Sequence, residues 1–363
     1  MRRIFRDEHL QSDFTRLGYL HLPLLDPTEV ADLNAFYEKQ HLTPQGDYGF
    51  HISLDHHDPE KVQSIEEKIT NVIWPKTQAL FDQGKVFTAS YVVKEPGLQN
   101  IVPPHQDWTF VDESKFCSFT LWVALQDVDI DNGALCILPG SINFFDYHRA
   151  SPSPQSRSPL TDHYFNIFPY MELIEMKAGE VLIFDNRLIH ASPPNTSDKP
   201  RIAAGIGVTH AEAQLIHYYQ IPGSDPEELE GFEVDKQFFN KFNNVILSGL
   251  YEAGERPDGY KSFDIRQRNA PQLSKSEMEA LILGVEGNKK NESLIIKLAS
   301  MYDYNEDGSK KEQEASESTS EDSPVTNQPE EEDQWANRTF WQTYTPKNII
   351  AEIAYRLRGR KEK

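Results

Sequence analysis

The sequence predicts a mainly β fold with flanking helices, built on a two-sheet jelly-roll (cupin-like) core, and three observations carry that prediction. From Lys85 onward the apolar period shifts toward two, in KVFTASYVVK (85–94), CSFTLWVALQ (117–126), ALCILPG (134–140), EVLIFD (180–185) and RIAAGIGV (201–208). Gly, Pro, Asn and Asp punctuate these segments. Long excursions separate them, without the regular strand–helix alternation of a doubly wound parallel sheet. No GxGxxG or phosphate-loop pattern supports a nucleotide-binding alternative.

Taken in order, the first clear element is a helix opened by Asp26-Pro27-Thr28-Glu29, with Val30, Leu33, Phe36 and Tyr37 on one face. A second helix is expected from Glu60 to about Trp74, where Ile65, Ile69, Val72 and Ile73 share a stripe that Pro75 interrupts. Both read as outer packing elements. The strand segments follow and complete a core over 1–222. Within it, Ser141 to about Glu175 is too long for a turn and is expected to cover a substrate. Residues 223–302 read as a helical extension packed on the core, with Phe238, Phe239 and Phe242 in one stretch and Leu294, Ile295 and Ile296 in another.

Two segments complete the chain. Residues 303–334 are acidic and rich in Ser, Gln and Pro, a composition that cannot offset its own ordering entropy and reads as a disordered linker. Residues 335–363 reverse the charge: Thr345-Pro346 resembles a helix start, and Ile349, Ile350, Ile353 and Leu357 recur at helical spacing ahead of Arg358 and Arg360. This basic amphipathic tail suits docking on the acidic domain or contact with a partner or membrane surface.

Composition narrows the function. With 363 residues and 38% hydrophobic content the chain can bury a sizeable core, and a formal charge of −21 repels nucleic acid. No apolar run approaches the roughly 18 residues needed to span a bilayer. The opening MRRIFRDEHL carries charge where a leader needs apolar residues, so a cytoplasmic location is expected. Cys117 and Cys136 cannot build a disulfide framework and read as buried, structural thiols.

The chemistry concentrates in PPHQDW (103–108). In an extended chain, residues two apart point the same way, about 7 Å apart, so His105 and Asp107 can converge on one ion while Gln106 faces elsewhere. A third ligand is available at the exit of AGEVLIFDNRLIHASPPN (178–195), where His190 follows a short apolar strand. Two imidazoles and one carboxylate form the facial triad that leaves positions open on Fe(II); catalytic zinc uses the same set. Arg201 bears on the choice. It opens an otherwise apolar strand, where an inward guanidinium needs an anion, and a dicarboxylate chelating the metal through its 2-oxo acid end supplies one. The implied cosubstrate is 2-oxoglutarate.

These residues resemble the phytanoyl-CoA dioxygenase-like Fe(II)/2-oxoglutarate oxygenases, through FTRLGYLHLPLLDPTEVADL (14–33), HQD, TLWVALQDVDIDNGALCILPGS (120–141), FDNRLIH (184–190) and Arg201, over roughly the first 220 residues. The resemblance implies a double-stranded β-helix core, His105, Asp107 and His190 as iron ligands, Arg201 as the clamp for the distal carboxylate, and Trp122 beside the cosubstrate. It also implies O₂-dependent decarboxylation of 2-oxoglutarate to succinate and CO₂, with hydroxylation of an unactivated C–H bond in a small or carrier-linked substrate. Desaturation or cyclisation by the same iron chemistry, and a non-catalytic jelly-roll binding module, are the alternatives. Two departures stand out: Ile142 occupies a place where the family often has histidine, and Ala203 replaces a hydroxyl residue that commonly assists the clamp, so another donor is required. His56 and His57 read as solvated; His210 and His217 could line the pocket but read more readily as strand ends; Lys94 could approach an anionic ligand, although a strand-end lysine usually reaches water; and Arg149 and Arg157 read as solvated cations that could make the covering segment locally basic.

Overall fold

The computed structural model describes residues 1–42, 48–153 and 155–301. The chain divides into two units, Met1–Asn291 and Glu292–Lys363. In the second unit the described element is the helix α8 (Glu292–Met301); the expected linker at 303–334 and tail helix at 335–363 lie outside the described residues.

In the first unit, α1 (Glu8–Leu17) is capped by Asp7 and stopped by Gly18 in the left-handed region. β1 (Tyr19–Pro23) leads to α2 (Pro27–Gln40), which starts at Asp26 with the capping box that Glu29 completes. After β2 (Phe50–Ile52), α3 (Pro59–Thr77) runs two residues past Pro75. The proline was expected to interrupt this helix; it sits in the last turn, where the lost N–H removes one bond near an end that frays anyway.

The strands are β3 (Gly84–Lys94), β4 (Val102–His105), β5 (Ser118–Ala124), β6 (Leu135–Ile137), β7 (Glu172–Ile174), β8 (Glu180–Asp185), β9 (His190–Ser192) and β10 (Arg201–His210), with a short α4 (Tyr164–Ile167) before β7. Six form one sheet in the order β1-β8-β5-β10-β3-β2, and four form another in the order β4-β9-β6-β7; the pairings are antiparallel. This is the expected jelly-roll layout, with open rather than closed sheets.

The six-stranded sheet is buried on both faces. Tyr91, Val93, Leu121, Val123, Val181, Ile183, Ala204 and Ile206 pack with Phe14, Leu33, Ile65 and Ile69 of the helices. The alternate residues, Trp122, Ala124, Leu182, Phe184 and Ala203, pack with Leu135, Ile137 and Leu188 in the interior. Period two thus sorts each strand into a helix-facing and an interior-facing row, and each fully buried Leu, Ile or Val side chain contributes about 1.5–3 kcal/mol. Gly179 makes the turn before β8: its φ is +91, and a Cβ there would lie 2.4 Å from the Leu25 carbonyl oxygen.

Residues 223–302 are not simply helical. β11 (Leu215–Gln220), β12 (Glu228–Val234) and β13 (Lys261–Gln267) form a third, antiparallel sheet, so the expected boundary at 222 falls inside the β11–β12 hairpin. The helices α5 (Lys236–Lys241), α6 (Asn244–Glu252) and α7 (Lys275–Leu283) are interspersed or follow. The phenylalanine-rich stretch did supply a core: Phe238, Phe239 and Phe242 pack with Phe87, Val111, Tyr219 and Phe232. Among the described residues, no helix is long and apolar enough to cross a membrane.

Candidate metal centre and anion pocket

β4 is an edge strand, and an edge tolerates Pro103 and Pro104, which lack ladder donors. His105 is its last residue and stands directly opposite His190, the first of β9. The rings lie 4.1 Å apart between centroids. Asp107 is beyond the strand, its N–H donating to the Asn186 carbonyl at 2.9 Å. The turn supplying that carbonyl is itself fixed, because Arg187 donates to the Asp185 carboxylate and Thr120 to the Asn186 side chain. Asp107 Oδ1 is 3.9 Å from His105 Nε2 and 3.8 Å from His190 Nε2, and one ligand atom from each residue lies within 4.8 Å of the others. The strand-period argument brought these residues to one side; leaving the strand at His105 brings the carboxylate closer than two extended residues allow.

Both imidazoles are oriented for ligation. His105 Nδ1 donates to the Pro103 carbonyl at 2.9 Å and His190 Nδ1 to the Leu188 carbonyl at 3.0 Å. A carbonyl only accepts, so each Nδ1 carries the proton and each Nε2 presents its lone pair toward Asp107. Desolvation, then the His190 imidazole, pushes the His105 pKa down to about 4. His105 is therefore neutral at pH 7, as a metal ligand must be.

Across the interior, on the six-stranded sheet, Arg201 is 1% exposed, and neither its Nε nor its Nη1 has a hydrogen-bond partner. Its guanidinium carbon lies 5.0 Å from the centre of the Trp122 ring, and desolvation lowers its pKa to about 9. Lys94 is its register partner on β3. The expectation that Lys94 reaches water is corrected. It is fully buried, and its Nζ donates to the Ser192 hydroxyl, the Ser192 carbonyl at 3.3 Å and the Pro193 carbonyl at 2.5 Å. Desolvation, then Arg201, lowers the Lys94 pKa well below its ordinary value. Two buried basic side chains, Arg201 and Lys94, share a strand end without a carboxylate paired to either among the described residues. That arrangement is costly unless an anion enters.

A family model described as phytanoyl-CoA dioxygenase (PhyH) matches residues 14–203. The chain belongs to the phytanoyl-CoA dioxygenase family. Similar curated proteins include phytanoyl-CoA dioxygenase domain-containing protein 1 of Danio rerio, 32% identical over 121 residues, which are 32% of this chain and 42% of that protein. Phytanoyl-CoA dioxygenase of Arabidopsis thaliana is 31% identical over 139 residues, 35% of this chain and 45% of its own length. The chain thus spans less than half the length of these relatives. Similar solved structures include the non-heme alpha ketoglutarate dependent carbocyclase SnoK from nogalamycin biosynthesis, at 23% identity and TM-score 0.43, covering 58% of this chain and 86% of that one. Another is HygX from Streptomyces hygroscopicus with nickel, 2-oxoglutarate and hygromycin B bound, at 13% identity and TM-score 0.43, covering 57% and 88%.

In this phytanoyl-CoA dioxygenase family member the other singled-out residues fall as follows. Gln106 faces away from the triad, as expected, accepting from the Tyr147 hydroxyl at 3.2 Å and donating to the Arg187 carbonyl. Ile142 joins the apolar interior with Trp122, Phe184 and Leu188. Arg149, read as solvated, is 5% exposed and paired with Glu113, whereas Arg157 is exposed and paired with Asp162. His57 is exposed and stacks on half-buried His56. His210 ends β10, accepting from the Glu212 N–H. His217 is fully buried against Trp108 and Phe238, bonded through Nε2 to the Ser151 hydroxyl. Both cysteines are free and buried. Sequence reasoning weighed Lys94 against an anionic ligand but favoured water, and it missed Ser192, to which Lys94 donates. Ser192 stands two positions after His190 on a strand, so the same period that paired His105 with Asp107 could have marked it.

Proposed function

We propose that this chain is an Fe(II)- and 2-oxoglutarate-dependent dioxygenase that hydroxylates an unactivated C–H bond of a small or carrier-linked organic substrate, with release of succinate and CO₂. One observation carries the reading: a buried guanidinium with two unpartnered donors faces the same interior as a His-Asp-His cluster whose ligand atoms fit around one ion. The donor set suits ferrous iron, which leaves the positions opposite a facial triad open. Bound there, iron supplies the redox centre at which O₂ and 2-oxoglutarate react.

The chain's own residues account for the rest. His105 and His190 offer Nε2, and Asp107 offers Oδ1. Arg201 offers the fork that matches a carboxylate bidentately, and Lys94 offers an amine held in place by Ser192 and Pro193 that a bound carboxylate would favour in its protonated form. This pair fills the role left open by Ala203. Trp122 packs flat space beside the guanidinium, and the aliphatic interior excludes water, which strengthens each of these charge contacts.

Anaerobic titration with Fe(II) and 2-oxoglutarate tests the reading. The expected result is a weak visible metal-to-ligand charge-transfer band, lost in His105→Ala, and succinate release on admitting O₂. A wild type that develops no band and releases no succinate overturns it. Product mass separates the outcomes: hydroxylation adds one oxygen atom, whereas desaturation or cyclisation removes two hydrogens.

A further inference from the structure

The carboxylate of the triad is the ligand whose support is least local. His105 and His190 are held by carbonyls two residues before them in the chain, but Asp107 lies past the end of β4 with no strand partner. Its peptide is gripped from two sides instead. The N–H donates to the Asn186 carbonyl, and the carbonyl oxygen accepts from Arg149 Nε at 2.6 Å.

Arg149 belongs to the segment expected to cover a substrate, and it is built in rather than mobile. Its Nη1 and Nη2 donate to the Glu113 carboxylate, a side chain only 18% exposed. Its own N–H donates to Thr109 Oγ1 at 3.0 Å, and its carbonyl accepts from the Thr109 N–H at 3.0 Å. Two residues on, Ser151 donates its N–H to the Tyr218 carbonyl and accepts from the Gln220 N–H, which ties the same strut to β11. The planar guanidinium is thus fixed by Glu113 on one edge and presents Nε to Asp107 on the other.

We propose that Arg149, oriented by Glu113, is a positioning residue for the metal-binding carboxylate of Asp107, linking the β11–β13 sheet to the metal centre. The proposal rests on the reading of His105, Asp107 and His190 as a metal site. A lysine cannot hold Glu113 bidentately and still reach a second acceptor in fixed geometry, so Arg149→Lys keeps the charge and removes the grip. Glu113→Gln leaves Arg149 Nε in place and removes the ion pair that fixes the orientation of the guanidinium.

Co(II) serves as the probe, with affinity and d–d spectrum read well below the melting temperature so that lost stability does not enter. Arg149→Lys should bind Co(II) about ten-fold or more weakly, with an altered d–d band, since outer supports of metal ligands typically carry 10–100-fold in affinity. Glu113→Gln should melt lower yet lose less affinity than Arg149→Lys. Arg149→Lys with wild-type affinity and spectrum overturns the proposal, whatever its melting temperature; so does an affinity loss in Glu113→Gln larger than that in Arg149→Lys, since Glu113 acts only through Arg149. Failure of the metal reading itself is separate: the wild type would then bind no Co(II) that His190→Ala abolishes.

Discussion

On the four-stranded sheet, His105 and His190 each give Nδ1 to a backbone carbonyl and hold Nε2 ready, whereas on the six-stranded sheet Arg201 keeps Nε and Nη1 without partners. The metal side is organised by its own backbone before anything binds. Around Arg201 burial disfavours charge, lowering the pKa of both Arg201 and Lys94, so a negatively charged ligand there would favour their protonated forms. The difference teaches that the two halves of one interior answer different demands. An imidazole that is to ligate a metal must be unprotonated at the aimed nitrogen, while a clamp for a carboxylate needs free donors. Lys94 ties them together, since it stands on β3 of the larger sheet and donates to Ser192 on β9 of the smaller.

The largest expected effect breaks the metal side. Asp107→Ala should weaken Fe(II) or Co(II) binding by more than about 100-fold, beyond what loss of an outer support alone costs, as read by metal titration. Retained affinity would show that the two imidazoles suffice and that the triad is not the site.

Next, Arg201→Met separates function from stability. Loss of 2-oxoglutarate affinity by about 2–5 kcal/mol, roughly 30- to 5,000-fold, is expected for a buried charged partner. The ligand-free protein should melt at the same or a higher temperature, because an unpaired buried charge has gone. The pH dependence has a definite sign. The folded Arg201 pKa of about 9 lies below its ordinary 12.5, so between these values the unfolded chain binds more protons and stability rises with pH. The gap between Arg201→Met and wild type should therefore be constant near neutrality and narrow above pH 9. A gap that widens there contradicts an unpaired guanidinium.

The smallest effect concerns Trp122, whose ring lies against Arg201. Trp122→Leu should weaken 2-oxoglutarate binding by ~0.5–2 kcal/mol, roughly 2- to 30-fold, with metal affinity unchanged. An equal loss of metal affinity would make this tryptophan a packing residue for both sheets.

The five core strand segments and the clustering of His105, Asp107 and His190 were legible because each rests on a short-range rule. Alternation marked β3, β5, β8 and β10, and HQD with His190 and Arg201 carried ligand chemistry in the residue types themselves. The third sheet was not legible. Phe238 and Phe239 suggested a helix, which α5 is, but Glu228–Val234 and Lys261–Gln267 carry charges that blur the strand pattern, and β13, whose partner β12 ends at Val234, is exposed along most of its length. Arg149 and Lys94 misled for the same reason: a cation's burial depends on what folds over it, and a loop or strand end gives no sign of that.

By itself the sequence determined which residues hold the donor atoms and which faces of the strands turn inward, since side-chain period and ligand chemistry are properties of neighbouring residues. Tertiary structure alone decided that His105 faces His190, that Arg201 and Lys94 are buried side by side without a paired carboxylate among the described residues, and that Glu113 turns Arg149 toward Asp107. Those facts depend on pairing residues far apart along the chain, where desolvation and long-range contacts, rather than local spacing, set the charge state and aim of each group.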